Sequence, residues 1–231
     1  YSYNATSGFG IYKYTGNGST DQTIPHGLGA IPQLIFYKRL DSSTNWVVQS
    51  NLLGNRDQLV LNGTDAENTD SRLLDSDNWI SKFFKLLSNV ENNNNFMNNN
   101  GSDHVAYVFC NVKGYCKVGT YTGGSDPFVY LGFKPAWIMF KNTSSAENWR
   151  IVDNKRDDDN PVVQHLFANS SGAEASGTSY SDFIDFLSNG FKIRSGSGEV
   201  DGSGNTIIYM AIAENPFVGN DSGTAVPVVA R

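Results

Sequence analysis

Apolar and polar residues alternate with a period of two through Phe9-Gly-Ile-Tyr-Lys-Tyr14, which predicts a strand with one buried face. Gly and Asn in Thr15–Thr20 accept positive φ at little cost and mark a turn. Thr23–Leu28 reads as a short edge strand, because Pro25 has no N–H to give to a ladder. Pro32 fixes φ just before a third strand, Leu34–Arg39, and Trp46–Gln49 runs back beside it as a hairpin. Gln58–Leu61 and Phe83–Leu87 are further strand segments, and His104–Val112 is apolar enough to be central. Between them lie the polar loop Asn62–Asp70 and the asparagine-crowded segment Ser88–Gly101, in which Phe96 and Met97 stand like an anchored strand tip.

The pattern is then written a second time. Pro32, Ile35, Lys38, Asn45 and Trp46 recur as Pro135, Ile138, Lys141, Asn148 and Trp149, each 103 positions on (135 − 32 = 149 − 46 = 103). Around them Tyr14-Thr-Gly16 matches Tyr121-Thr-Gly123, and Leu28-Gly29 matches Leu131-Gly132. Phe83 to Asn89 matches Phe183 to Asn189, and Val105-Ala-Tyr107 matches Ile207-Ile-Tyr209. A fixed register of this kind points to internal duplication. In the second copy Asn189-Gly190 predicts a type I′ hairpin joining Phe183–Leu187 to Phe191–Arg194, with a helix over Ser181–Leu187 as the alternative. Ile207–Ile212 is the buried closing strand, and Pro216–Arg231 trails as a tail. The expected fold is all-β: two tandem pseudo-repeats, 1–115 and 116–231, each an antiparallel sandwich of about six to eight strands.

Composition narrows the function classes. Lys and Arg nowhere form a run and the formal net charge is −6, against the footprint of a nucleic-acid binder. No apolar segment approaches the length that spans a bilayer, so no membrane insertion is expected, and the opening Tyr1–Gly10 reads like the interior of a longer protein. Cys110 and Cys116 are close enough to bridge through a turn, but two free buried thiols fit a chain assembled in a reducing cytoplasm.

Tyr14-Thr-Gly-Asn-Gly18, Pro25-His-Gly-Leu-Gly29, Asn45-Trp46, Val105-Ala-Tyr107, Phe186-Leu-Ser-Asn-Gly190 and Ile208-Tyr-Met-Ala211 with Glu214-Asn-Pro-Phe217 carry a resemblance over essentially the whole chain. It resembles a family of uncharacterised C-terminal domains in tail-fibre-like structural proteins of tailed, often marine, bacteriophages. The resemblance implies a virion module that is assembled in the host cytoplasm and exposed outside the cell, working as a homotrimer beside other virion proteins. It implies contact with a host cell-surface glycan or protein, and it supplies no catalytic residues. Asp157-Asp158-Asp159 and the asparagine run depart from the family pattern.

Candidate chemistry is sparse. His26, His104 and His165 have no Cys or His at metal-ligand spacing and read as structural, and Gly196-Ser197-Gly198 lacks a nucleophile elbow's setting. Asp153, Asp157, Asp158 and Asp159 offer the oxygens that Ca²⁺ takes, or an acid/base pair, against the plainer reading of a solvated acidic loop; no cofactor is expected. Trp46 and Trp149 are expected in the cores, as markers of the repeat with Pro32 and Pro135. Recognition is expected in loops that differ between the copies, on Asn62, Asp65, Asn93, Asn95, Asn99, Asp157, Asp158 and Asn169. The first reading is therefore a non-enzymatic adhesion module. A purely structural capsid-decoration or fibre-assembly module is the second, and a glycan-degrading enzyme the third.

Overall fold

Phe9–Thr15 buries Tyr12 and Tyr14 on one side and leaves Ile11, Lys13 and Thr15 on the other, as its alternation requires. The computed structural model describes residues 1–19, 22–54, 57–69, 79–86, 96–124, 126–175, 183–194 and 197–216. Two compact units divide the chain, Tyr1–Asn111 and Val112–Arg231.

The first unit contains β1 (Ser2–Asn4), β2 (Phe9–Thr15), β3 (Gln22–Pro25), β4 (Leu34–Arg39), β5 (Val47–Ser50), β6 (Asp57–Val60), β7 (Asn68–Thr69), β8 (Phe83–Leu86) and β9 (Asp103–Phe109). The second contains β10 (Cys116–Thr122), β11 (Phe128–Tyr130), β12 (Pro135–Asn142), β13 (Arg150–Asp153), β14 (Leu166–Phe167), β15 (Ile184–Leu187), β16 (Gly190–Ile193), the single turn α1 (Gly198–Asp201) and β17 (Thr206–Ala213). The first unit's large sheet runs β1-β2-β9-β4-β5-β6-β7, and the pair β3-β8 covers it. The second unit's large sheet runs β10-β17-β12-β13-β14, covered by β11-β16-β15. All pairings are antiparallel, and each unit is sandwich-like, with its core between the two sheets.

The pairings follow the 103-residue offset closely. Leu34↔Ser50 and Tyr37↔Val47 in β4–β5 become Trp137↔Asp153 and Phe140↔Arg150 in β12–β13. Tyr14 donates its phenol O–H to the Met97 carbonyl at 2.7 Å, and Tyr121 donates to that of Val200 at 2.6 Å (200 − 97 = 103). Gly16 and Gly123 have no room for a side chain: a Cβ would stand 2.3 Å from the Asn99 carbonyl oxygen in one unit and 2.5 Å from that of Gly202 in the other. Phe96 and Met97 accordingly belong to a turn that closes over Tyr14, with Met97 in the core.

Hydrogen bonding corrects three of the sequence matches. His26 and Leu131 donate backbone N–H groups to Lys82 and Asn189, so Leu131 stands where His26 stands, and the counterpart of Leu28 is Phe133. Ile24↔Phe84 and Thr23↔Lys85 correspond to Val129↔Phe191 and Phe128↔Lys192. Phe84-Lys-Leu86 therefore matches Phe191-Lys-Ile193, not the Phe183 segment. Phe84 lies 6.0 Å from Tyr12 and 6.1 Å from Tyr37, while Phe191 lies 5.5 Å from Phe140 and 5.3 Å from Tyr209. Burying such a ring contributes about 1.5–3 kcal/mol. Tyr209, finally, takes the place of Ala106 and not of Tyr107. A slip of one residue exchanges the faces of a strand, and Tyr107 looks away from the core, against Trp46 at 6.0 Å.

Trp149 is buried as expected, but Trp46 is only half-buried on that outer face. Ile184–Leu187 is a strand, and 181 and 182, which the helical alternative includes, lie outside the described residues. The hairpin β15–β16 forms, but its two loop residues are Ser188 and Asn189, and neither has positive φ. Gly190 is the first residue of β16: a Cβ there would lie 2.0 Å from the Val129 carbonyl oxygen, so this glycine serves the close approach of β11.

Candidate functional site

At one rim of the first unit, β1 lies beside β2 with Ser2↔Ile11 and Tyr3↔Gly10 in register. Residues opposite one another share a face, which puts Tyr3 on the side of Tyr12 and Tyr14, toward β3. Between this edge and the segment Ile24–Gly27 opens a cavity of about 400 Å³. Its size falls in the range of roughly 300–1,000 Å³ common for small-ligand sites. Tyr1 is 88% and Tyr3 46% exposed, whereas Tyr12 is 1% exposed, so the cleft has a fixed floor and open aromatic walls. The Tyr1 ring lies 6.0 Å from Tyr3 and 6.4 Å from Tyr12, nearly parallel to the latter at 24°.

Two glycines make the shape. A Cβ on Gly27, which has φ of 68°, would meet the Tyr3 ring at 2.5 Å, and one on Gly10 would meet the Tyr12 phenol at 2.3 Å. Tyr12 donates its O–H to the His26 carbonyl, and burial pushes its phenol well above the ordinary value. The His26 ring is fixed as well: Nδ1 accepts from the Leu28 N–H at 3.1 Å, so Nε2 carries the proton and donates to the Ile80 carbonyl at 2.8 Å. Burial lowers its pKa. Lys13 also borders the cleft, and its ammonium is 2.7 Å from Asp103.

At the matching rim of the second unit Lys117 replaces Gly10, Gly119 replaces Tyr12 and Leu131 replaces His26. The Lys117 ammonium donates to the Tyr130 carbonyl at 2.6 Å and sits 5.8 Å from that ring's centre. The aromatic cleft is thus built on residues in which the first unit departs from the second.

The second unit holds a buried charged cluster. Arg150, 1% exposed, pairs with Glu199, and Glu199 also accepts from Asn148 at 2.9 Å. Arg150 donates to His165 Nε2 at 2.8 Å, and His165 Nδ1 donates to the Val163 carbonyl at 2.9 Å. Both ring nitrogens are occupied in the neutral tautomer, and burial first, then the Arg150 charge, lowers its pKa. The cluster fixes a fold position and presents no nitrogen for proton transfer. The signal in the sequence was a charge at Arg150 where the first unit has Val47 at the 103-residue offset.

The expected recognition residues disperse. Asn62 accepts from the Trp46 N–H at 2.8 Å and donates to Asn45 at 3.0 Å; Asn169 accepts from the Trp149 N–H at 2.9 Å and donates to Asn148 at 2.9 Å. Each braces the hairpin of its own unit, β5–β6 in the first and β13–β14 in the second. Asn99 donates to the Ser102 hydroxyl at 2.6 Å within its turn, and Asp157 accepts the Val163 and Gln164 N–H groups at 2.8 and 2.6 Å. Asp65, Asp158 and Asp159 are exposed, and Asn93 and Asn95 lie outside the described residues. Asp153 accepts the Lys155 and Arg156 N–H groups and pairs with the Arg156 guanidinium. Among the described residues no three His, Cys, Asp or Glu are grouped to hold a metal, and no helix is long and apolar enough to cross a membrane. Tyr1 and Tyr3 were not singled out from sequence, because their role depends on β1 meeting β2.

A family model described as a domain of unknown function (DUF7483) matches residues 1–216. No curated protein and no solved structure matches the chain.

Proposed function

We propose, for a chain that belongs to the DUF7483 family of unknown function, that it is a non-enzymatic virion module at the distal part of a tail fibre or similar appendage, contacting the host cell surface. The observation that carries this reading is the cleft walled by Tyr1 and Tyr3 at the rim of a rigid sandwich, since exposed tyrosines supply contact area at little entropic cost. The tail-fibre resemblance of the sequence supports it. In this reading the two units descend from one β unit, the protein works as a homotrimer, and several copies per particle supply avidity.

A second reading, a structural module that decorates the capsid or joins fibre subunits, is favoured by Asn62, Asn99, Asp157 and Asn169 being spent on the fold's own hydrogen bonds. Fluorescently labelled chain separates the two. Under the first it binds cells of a susceptible bacterium, and in excess it slows adsorption of particles. Absence of both effects overturns adhesion and leaves the structural role.

A further inference from the structure

We infer that the cleft of the first unit is a carbohydrate subsite that takes one neutral pyranose ring, stacked on the exposed faces of Tyr1 and Tyr3. The inference rests on the adhesion reading and names the ligand class that reading leaves open. A pyranose in its β-gluco or β-galacto form is amphipathic across its thickness, with one face of axial C–H bonds and a rim of hydroxyls. The cleft offers both kinds of surface: tyrosine rings over a buried floor of Tyr12 and Ile24, and the phenol groups of Tyr1 and Tyr3. Phenols both donate and accept, as sugar hydroxyls do.

Three observations narrow the choice. First, among the described residues the lysine and the histidine that line the site are already bonded: the Lys13 ammonium is held by Asp103 at 2.7 Å, and both His26 nitrogens are bonded in the neutral form. That favours a neutral sugar over a sialic or uronic acid. Second, the donors a peptide's carbonyls would need are missing from the floor, because the Tyr12 O–H is committed to the His26 carbonyl and the Tyr14 O–H to the Met97 carbonyl at 2.7 Å. Third, the site depends on Gly10 and Gly27, whose Cβ atoms would strike Tyr12 and Tyr3. At the equivalent of Gly10 the second unit carries Lys117, bonded to the Tyr130 carbonyl.

The test is saturation-transfer NMR on the 231-residue chain with methyl β-D-glucopyranoside and methyl β-D-galactopyranoside, and with choline chloride as the cationic alternative for an aromatic cleft. At least one glycoside is expected to show transfer to its ring C–H protons with a millimolar dissociation constant. Tyr3→Ala and Tyr1→Ala are each expected to weaken it about tenfold, and Tyr130→Ala, in the other unit, to leave it unchanged. Tyr1→Ala keeps the test decisive if Tyr3→Ala loosens β1. No transfer from either glycoside, transfer unaffected by both variants, or choline displacing the sugar each overturns the inference. Cell binding of the same variants separates it from the adhesion reading. Sugar binding lost with cell binding intact supports the subsite and overturns its role in adhesion. Cell binding lost with no sugar binding in the parent chain overturns the subsite and keeps adhesion.

Discussion

Tyr12 of β2 stands directly opposite Ala106 of β9. At the equivalent rung of the second unit Gly119 of β10 stands opposite Tyr209 of β17. Each unit thus fills one core site with a single tyrosine, delivered from opposite strands. A Cβ on Gly119 would lie 2.5 Å from the Tyr209 phenol, so the small partner is obligatory. Tyr12→Gly alone should cost about 3–5 kcal/mol by leaving a cavity, and Ala106→Tyr alone about 1–3 kcal/mol by overpacking. The double variant should cost less than their sum by at least about 1 kcal/mol. Denaturant unfolding of the four proteins of this cycle checks it, and simple additivity would refute the equivalence of the two rungs.

The asparagine braces predict a separation of stability from binding. Asn169→Ala removes a partly buried partner of the Trp149 amide and should lower stability by about 1 kcal/mol. Asn62→Ala, at an exposed site, should do less. Neither should change binding to cells. A variant that melts like the parent chain yet fails to bind would restore these residues as recognition groups.

Acid should destabilise the fold through its histidines. Burial is the first cause of the lowered pKa at His26, His104 and His165. The unfolded chain, with histidines near 6.5, then binds more protons than the folded one, and stability falls as pH drops through that value toward the lower folded pKa values. Above about pH 7.5 the contribution is flat. Melting temperature followed from pH 8 to pH 5 should fall on the acid side, and His104→Gln should flatten the slope. A melting temperature that rises on acidification in this window would contradict burial of these rings in the neutral form.

Cys110 and Cys116 are buried thiols not joined in a disulfide, and burial pushes the Cys110 thiol up to about 11. A thiol-reactive disulfide reagent at neutral pH should therefore leave both unmodified in the native chain and label both in guanidinium. Rapid native labelling would show that one of them is reachable.

Strands and the β4–β5 hairpin were legible because alternation acts locally: β2, β4, β5, β9, β12 and β17 fall where Tyr12, Ile35, Val48, Ala106, Phe140 and Ala211 place them. The matches that slipped agree in composition and not in placement: Tyr107 and Tyr209 lie on opposite faces, Leu28 and Leu131 differ by two residues of register, and Phe83 and Phe183 belong to different strand positions. Asn62 and Asn169 were read as binding groups because a polar residue in a variable loop looks the same whether its amide meets solvent or a tryptophan N–H. The cleft was hidden for a related reason. It exists only once β1, β2 and Gly27 meet, and no local alternation or turn signal says that they do.

The pairing of Asn45 with Asn62 and of Asn148 with Asn169 closes one end of each hairpin over spans of 17 and 21 residues. At the opposite end the β5–β6 connection has 6 residues (51–56) and the β13–β14 connection 12 (154–165). A side-chain clasp at the foot thus makes the length at the tip a free variable. The exposed pair Asp158-Asp159 becomes a grafting port, where an epitope tag or reporter domain can be spliced in while the clasp below stays shut.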